Sequence, residues 1–300
     1  MAAGLEYLFS KQEADGAWRG QSTPLKSGRA LTPFVLASVG SFSDERLSRW
    51  KPETDRALAA VLQGVGEETE YPNYSRALAI LALQRFRPPG GEAAVRRMAK
   101  ELIEKQIRRA GDDPLHGAWD LGAPVVSRPD VSVTAFVLEA LKAAGSLEEP
   151  VRQAALAFVA RCRASEGGYF FTTDPTQSFQ NKAGPDRGYA SATSDAVRCL
   201  RACGVPDEDP RVAAALEWLR LNPSLDYAAG IPLEMPERIG EGLLFYSLYA
   251  RQRARGDVPG LRAKLAALQR EDGSWRNPVG IMKEDDPVLA TALALGSLAE

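Results

Sequence analysis

Six stretches of this chain are apolar almost all the way round a helix: ALTPFVLASVG, YSRALAILAL, VSVTAFVLEAL, SATSDAVRCL, GLLFYSLYA and PVLATALALGSLA. A helix without a wet face must be covered on several sides. Helices of a second kind fall between them. In AAVRRMAKELIEKQ, Val95, Met98 and Leu102 recur at spacings of three and four, with Arg96, Arg97, Lys100, Glu101 and Lys105 between them. PVRQAALAFVARC, DPRVAAALEWLR and PGLRAKLAALQR follow the same pattern, burying one stripe and wetting the other. The two kinds alternate strictly from GLEYLFSKQ to PVLATALALGSLA, and strand-like alternation is scarce. Six pairs, each one apolar and one amphipathic, predict an all-α closed double ring over residues 1–300 as a single domain, with the apolar helices inside.

A repeated phrase supports closure. QEADGAW, Gln12 to Trp18, returns as QREDGSW, Gln269 to Trp275, and RASEGGY is a weaker copy beginning at Arg163. The spacings fit units of about fifty residues, six of which nearly exhaust the chain. Copies in the first and last units become neighbours if the ring closes. In each, Gln ends an outer helix, Gly permits the turn and Trp packs back over it, so the phrase reads as structural.

Bulk properties narrow the function classes. A hydrophobic fraction of 45% and a charged fraction of 25% suit a globular core. A net charge of -2 offers no general attraction for polyphosphate, so no nucleic-acid partner is expected. No apolar run reaches the ~18 residues of a membrane span. The opening MAAGLEYLFS lacks the basic and apolar regions of a signal peptide, and three cysteines cannot pair completely, so a reduced, cytoplasmic setting is expected. Oligomeric state is not legible.

The inner-to-outer connections are short, whereas three outer-to-inner ones, after Gln106, Arg163 and Leu221, are long enough to carry function. In an up-down ring these loops and the inner-helix N-termini share one face. That face carries His116, Trp119, Tyr169, Phe170, Phe171, Phe179, Tyr189 and Tyr227, with Tyr71 and Tyr74 beside them; Arg128, Lys182, Arg187 and Lys283 add positive charge. Aromatic walls and converging helix N-termini suit a largely apolar molecule with a polar or anionic head.

The phrases QEADGAW and QREDGSW resemble the QW repeats of squalene–hopene cyclases and related triterpene cyclases. RPDVSVTAFVLEALKAAG, YASATSDAVRCLRACGV and DDPVLATALAL look like inner-helix segments of the same superfamily, which also holds the protein prenyltransferase β subunits. The nearest likeness is to bacterial single-domain prenyltransferase and squalene oxidase repeat proteins, and it covers essentially the whole chain. It implies an (α/α)6 barrel, or α/α toroid, of six inner and six outer helices around an apolar cavity. It also implies an isoprenoid-like ligand, with room for peripheral membrane contact. The sequence departs from the family at the chemistry. Where the cyclases carry D-x-D-D, with the middle Asp as general acid, this chain has Asp130-Val131-Ser132-Val133. The prenyltransferase zinc takes Asp, Cys and His, and the one histidine here is His116 in a loop. A Cys2His site with Cys199 and Cys203 is conceivable by spacing, but buried thiols are the plainer reading. Neither DDPLH nor EDDPV completes a magnesium-binding DDxxD, so no metal and no cofactor are expected.

The candidate acids are Asp130, Asp195 and Glu241. Asp130 and Asp286 also read as helix caps, with Glu284 and Asp285 beside the last helix N-terminus. Asp195 lies one turn into an apolar helix, where an ion pair with Arg198 is its structural reading. Two of the three acids meeting across the mouth could share a proton and act as a non-standard cyclase or isomerase. Tyr74, Trp119, Tyr169, Phe171, Lys182, Tyr189, Tyr246 and Tyr249 are the expected ligand-binding residues, with the tyrosine rings steadying a cation. A non-catalytic lipid- or protein-binding ring and a carbohydrate-active toroid with paired carboxylates are the alternatives.

Overall fold

The computed structural model describes residues 1–22, 25–66, 69–109, 112–122, 129–174 and 181–298. Fourteen α-helices are found among them: α1 (Ala2–Ser10), α2 (Leu31–Val39), α3 (Asp44–Leu47), α4 (Lys51–Gln63), α5 (Pro72–Phe86), α6 (Gly91–Glu104), α7 (Val131–Ala143), α8 (Glu149–Arg161), α9 (Ala190–Ala202), α10 (Pro210–Leu221), α11 (Ile239–Gly242), α12 (Leu244–Arg255), α13 (Leu261–Leu268) and α14 (Pro287–Ser297). Apart from the one-turn α3 and α11, these are the six pairs of the sequence pattern. The apolar helices α2, α5, α7, α9, α12 and α14 pack each on the next, and α14 packs back on α2, closing an inner ring. The amphipathic α1, α4, α6, α8, α10 and α13 lie outside. At the seam α1 packs on α14.

The repeated phrase is a wedge between the two walls. The Trp18 indole donates to the Leu8 carbonyl of α1 at 2.6 Å, and the Trp18 amide donates to Thr32 Oγ1 of α2 at 2.9 Å. Trp275 repeats both bonds with Leu265 of α13 and Thr291 of α14, at 2.7 and 3.0 Å. The Gln12 amide spans from the Gly16 carbonyl to the Glu53 carbonyl of the next outer helix, at 3.0 and 2.8 Å. Gly273, at φ +85°, closes the ring, because a Cβ there would lie 2.4 Å from the Ala3 carbonyl oxygen of α1.

The long connections run side by side around the N-terminal mouth of the inner ring, joined by backbone bonds. Asp130 N donates to Trp119 O, Val131 N to Phe171 O, Tyr189 N to Tyr169 O, and Ala190 N to Ala229 O. Among the described residues no helix is long and apolar enough to cross a membrane.

Candidate ligand-binding site

Four inner helices send polar side chains into the ring. Tyr74 comes from α5, Ser132 from α7, Asp195 from α9 and Tyr246 from α12. The Tyr74 and Ser132 hydroxyls are 3.0 Å apart, Ser132 bonds in turn to the Tyr246 hydroxyl, and Tyr246 donates to Asp195 Oδ2 at 2.8 Å. Because α5 and α12 face each other across the ring, this relay crosses the lumen. Tyr74 and Tyr246 keep some exposed surface although they sit inside the inner wall, so open space reaches the relay.

Below it, toward the helix C-termini, the ring is filled. Tyr249 of α12 stacks against Phe136 of α7 with centroids 6.3 Å apart and meets Phe34 of α2 edge-on at 5.8 Å. Arg198 of α9 lies 4.2 Å over the Phe136 ring. Its guanidinium donates to Asp195 Oδ1 at 2.6 Å and to both oxygens of Glu139 at 2.9 and 2.8 Å; Arg253 reaches the same Glu139 at 3.0 Å. Aromatic rings line the lumen, but a chain of two acids and two arginines crosses its floor, running from the buried Asp195 and Arg198 through the half-buried Glu139 to Arg253 at the surface. These charges are tolerated on otherwise apolar helices because they pair: Asp195 with Arg198 one turn along α9, and Glu139 of α7 with Arg198 of α9 and Arg253 of α12.

Burial sets the titration of this group. It pushes Asp195 up to about 6 against the pull of Arg198 and Tyr246. Burial also raises Glu139, but Arg198 and Arg253 together outweigh it and hold that carboxyl down at about 2. Burial drives the Tyr246 hydroxyl well above its usual range, so it stays protonated as a donor to Asp195.

The other expected site residues separate into two groups. At the rim, Lys182 Nζ sits 3.8 Å from the Phe171 ring centroid and 3.5 Å from the Tyr189 hydroxyl. Asp130 is beside them, buried, as the N-cap of α7; its Oδ1 accepts from Val133 N at 2.8 Å. Burial pushes it up to about 7, opposed by the Val133 amide and Lys182. Asp130 and Asp195 do not share a proton, since the described bonds of Asp195 go to Arg198 and Tyr246.

Glu241, Trp119 and Tyr169 lie elsewhere. Glu241 is at the surface on α11, paired with Arg238 at 2.5 Å, which lowers it. Trp119 is fully buried between α6 and α7, where its indole donates to Leu102 O at 2.6 Å and its amide to Thr134 Oγ1 at 3.3 Å. That is the bonding of Trp18 and Trp275, and Gln106 completes it by donating to Gly117 O and Val151 O at 3.1 and 2.9 Å. Ten residues stand between Gln106 and Gly117 where the other copies have three, and this seven-residue insertion hides the third copy of the phrase in the sequence. Tyr169 occupies the matching place between α8 and α9, its amide donating to Thr193 Oγ1 at 2.9 Å. Both belong to the wall rather than the lumen.

Asp286 caps α14 as expected, accepting from Val288 N and Leu289 N. Glu284 caps a different helix from the one its position suggests: it accepts from Phe245 N and Tyr246 N of α12, at 2.9 and 2.8 Å. His116 bonds to the Arg109 carbonyl in its loop, whereas Cys199, on α9, points to Val131 O, so the conceivable Cys2His set is not assembled. Burial pushes all three thiols upward and keeps them protonated. Phe179 and Arg128 lie outside the described residues.

Sequence comparison finds no matching family model and no matching curated protein. Comparison of structures does. Apo type II terpene cyclase MstE from Scytonema is similar over 99% of this chain and 96% of its own, at 12% identity and a TM-score of 0.62. A substituted form of MstE, solved with geranylgeranyl dihydroxybenzoate, has the same TM-score at 13% identity, over 99% of this chain and 94% of that one. Cellobiose 2-epimerase from Spirochaeta thermophila matches over 98% of this chain and 93% of its own, at 13% identity and a TM-score of 0.56. This chain folds as an α/α toroid. At such identities the likeness carries the fold alone, and the same toroid serves apolar and sugar substrates. What this toroid binds must be argued from its own lumen.

Proposed function

We propose that this toroid binds an isoprenoid or similarly apolar molecule in the mouth of the inner ring, with a hydroxyl, carbonyl or acidic head set against Tyr74, Ser132 and Tyr246. The observation that carries the reading is the hydroxyl relay, which starts at two partly exposed tyrosines and ends on a buried acid. Aromatic surface and a few convergent polar groups are what an apolar ligand with one polar end requires. The geranylgeranyl compound bound by MstE is a ligand of this type, which adds support. Lys182, over Phe171, gives the rim a positive charge that suits an acidic head.

The chemistry that fits is proton transfer at the head group, with Asp195 exchanging its proton through Tyr246. Protonation of an isolated double bond fits less well. The acid for that step must be neutral and strong, and Arg198 at 2.6 Å favours the anion of Asp195. A glycosidase-like mechanism needs two available carboxylates, whereas Asp195 and Glu139 are both committed to arginine.

Thermal unfolding with geranylgeraniol, and with a hydrocarbon of equal length lacking the hydroxyl, tests the reading. The alcohol should raise the melting temperature more than the hydrocarbon, and Tyr246→Phe should remove that difference without abolishing the hydrocarbon's effect. No shift with either compound, in the presence of a folded protein, refutes it.

A further inference from the structure

Three outer-to-inner connections carry the same indole wedge: Trp18, Trp119 and Trp275. In each, a glycine in the left-handed region two residues earlier lies against the next outer helix. Gly16, at φ +87°, faces the Arg56 carbonyl of α4, and Gly117, at φ +95°, faces the Ala154 carbonyl of α8. In the second unit the sequence keeps the glycine but has no aromatic residue two positions on. Gly66, at φ +95°, lies against Arg97 of α6, but two residues on the sequence has Glu68 instead of an aromatic residue. Ser75 of α5, which corresponds to Thr32 and Thr134 as the hydroxyl one turn into the inner helix, pairs with the Thr69 hydroxyl at 3.1 Å.

A cleft of about 290 Å³ opens at this place between α4 and α5. One side is apolar, with Ala60 and Val61 of α4, Ala79 of α5, Pro33 of α2 and Met98 of α6, while Asp15, Arg19, Arg29 and Arg76 add charge to the rest of the lining. Val61 stands two residues before the end of α4, as Leu8 and Leu102, the indole acceptors, stand two before the ends of α1 and α6. The cleft thus has one apolar side, charged residues around the remainder, a hydroxyl pair, and a helix-end carbonyl at the point that takes an indole N–H in the other units. Its volume is near the lower limit of small-molecule sites, roughly 300 Å³.

We propose that this cleft is a second binding site, separate from the lumen, for a planar aromatic molecule of the size of indole that carries an N–H or O–H donor. The ligand lies where the other units place a tryptophan side chain, with its ring between Val61, Ala79 and Met98 and its donor on the α4 carbonyl end.

Indole itself is the probe. The chain has four methionines, of which Met98 lines the cleft while Met235 and Met282 lie on the connections at the mouth. Methyl-labelled methionine spectra therefore tell the two sites apart. Indole should shift the Met98 methyl and leave Met282 unmoved. At roughly ten times its dissociation constant it should raise the melting temperature by on the order of 3 °C. Glu68→Trp, which restores the wedge, should melt higher without ligand, and its Met98 signal should no longer answer to indole. Ala79→Phe, which blocks the cleft from the inner helix, should likewise lose the response. A Met98 methyl indifferent to indole in the unaltered protein overturns the proposal, as does an undiminished response in both variants.

Discussion

Arg198→Met should be among the costliest single substitutions in this ring, and its cost should depend on pH. The guanidinium serves Asp195 at 2.6 Å and Glu139 at 2.8 Å, with 1% of its side chain exposed. Glu139 would keep Arg253 at 3.0 Å. Asp195 would keep only the Tyr246 hydroxyl. Removing one partner of a buried ion pair costs about 3–5 kcal/mol, a large part of the roughly 5–15 kcal/mol that holds a domain together. Burial already places the Asp195 carboxyl at about 6, above its unfolded value of about 3.9. Loss of Arg198 raises it further. A carboxyl raised in the folded state contributes stability that is complete below the unfolded value and is lost as pH rises through the folded one. The variant's penalty should therefore be full near pH ~8 and should shrink by about half toward pH ~5, where Asp195 takes up its proton. Urea unfolding followed by circular dichroism, on the unaltered chain, Asp195→Asn, Arg198→Met and the double variant, measures this directly. The double variant should recover on the order of 2 kcal/mol relative to the sum of the single losses. Equal penalties at both pH values, or additive single effects, would show that Asp195 is not a buried charge held by Arg198.

Asp130→Asn keeps an oxygen to accept from Val133 N but cannot ionise. Because burial holds Asp130 up at about 7, its contribution to stability fades as pH climbs through neutrality. Melting curves across pH ~5–8 should accordingly be flatter for the variant than for the unaltered chain. Trp119→Phe strips the donor from the Leu102 carbonyl and should cost about 1–3 kcal/mol in chemical denaturation. The same substitution should leave geranylgeraniol binding unchanged, because Trp119 lies in the wall. Arg251→Leu should cost a similar amount, about 1–3 kcal/mol, since the Arg251 guanidinium, from α12, bonds to the Leu219 and Ser224 carbonyls of the α10 end.

The ring was legible because its signal is spread over many residues. Six helices without a wet face need six covers, and the alternation of two helix types leaves few other arrangements. The long connections run together around the N-terminal mouth of the inner ring. Individual roles were less legible, since a tryptophan reads alike in a wall and in a binding site. Trp119 reveals its role only once Gln106 and Gly117 are seen to be partners across a seven-residue insertion. Tyr169 and Glu241 were misplaced for the same reason: rim position and residue type do not say which way a side chain faces. Glu139, Arg198 and Arg253 carried the signal that marked Asp195, namely charge within the inner helices, and reading all four together would have shown the ion-pair floor.

That floor limits what the toroid can accept. Tyr249, Phe136 and Phe34 meet across the ring one turn below the relay, with Arg198 packed on them. A ligand entering at the mouth reaches Tyr74 and Tyr246 and stops there, because going deeper would require separating Arg198 from Asp195 and Glu139 at the cost of a broken buried pair. On the proposed reading the space open to a ligand is therefore a shallow cup rather than a through-channel. The relay at its base is polar and the residues around it are aromatic, so the proposed ligand would be held by one end. The proposed ligand's polar head would be selected at the base and its apolar remainder left to the rim loops, where Phe171, Lys182 and Tyr189 stand. Specificity for chain length should therefore reside in those loops, and specificity for the head group in the inner helices.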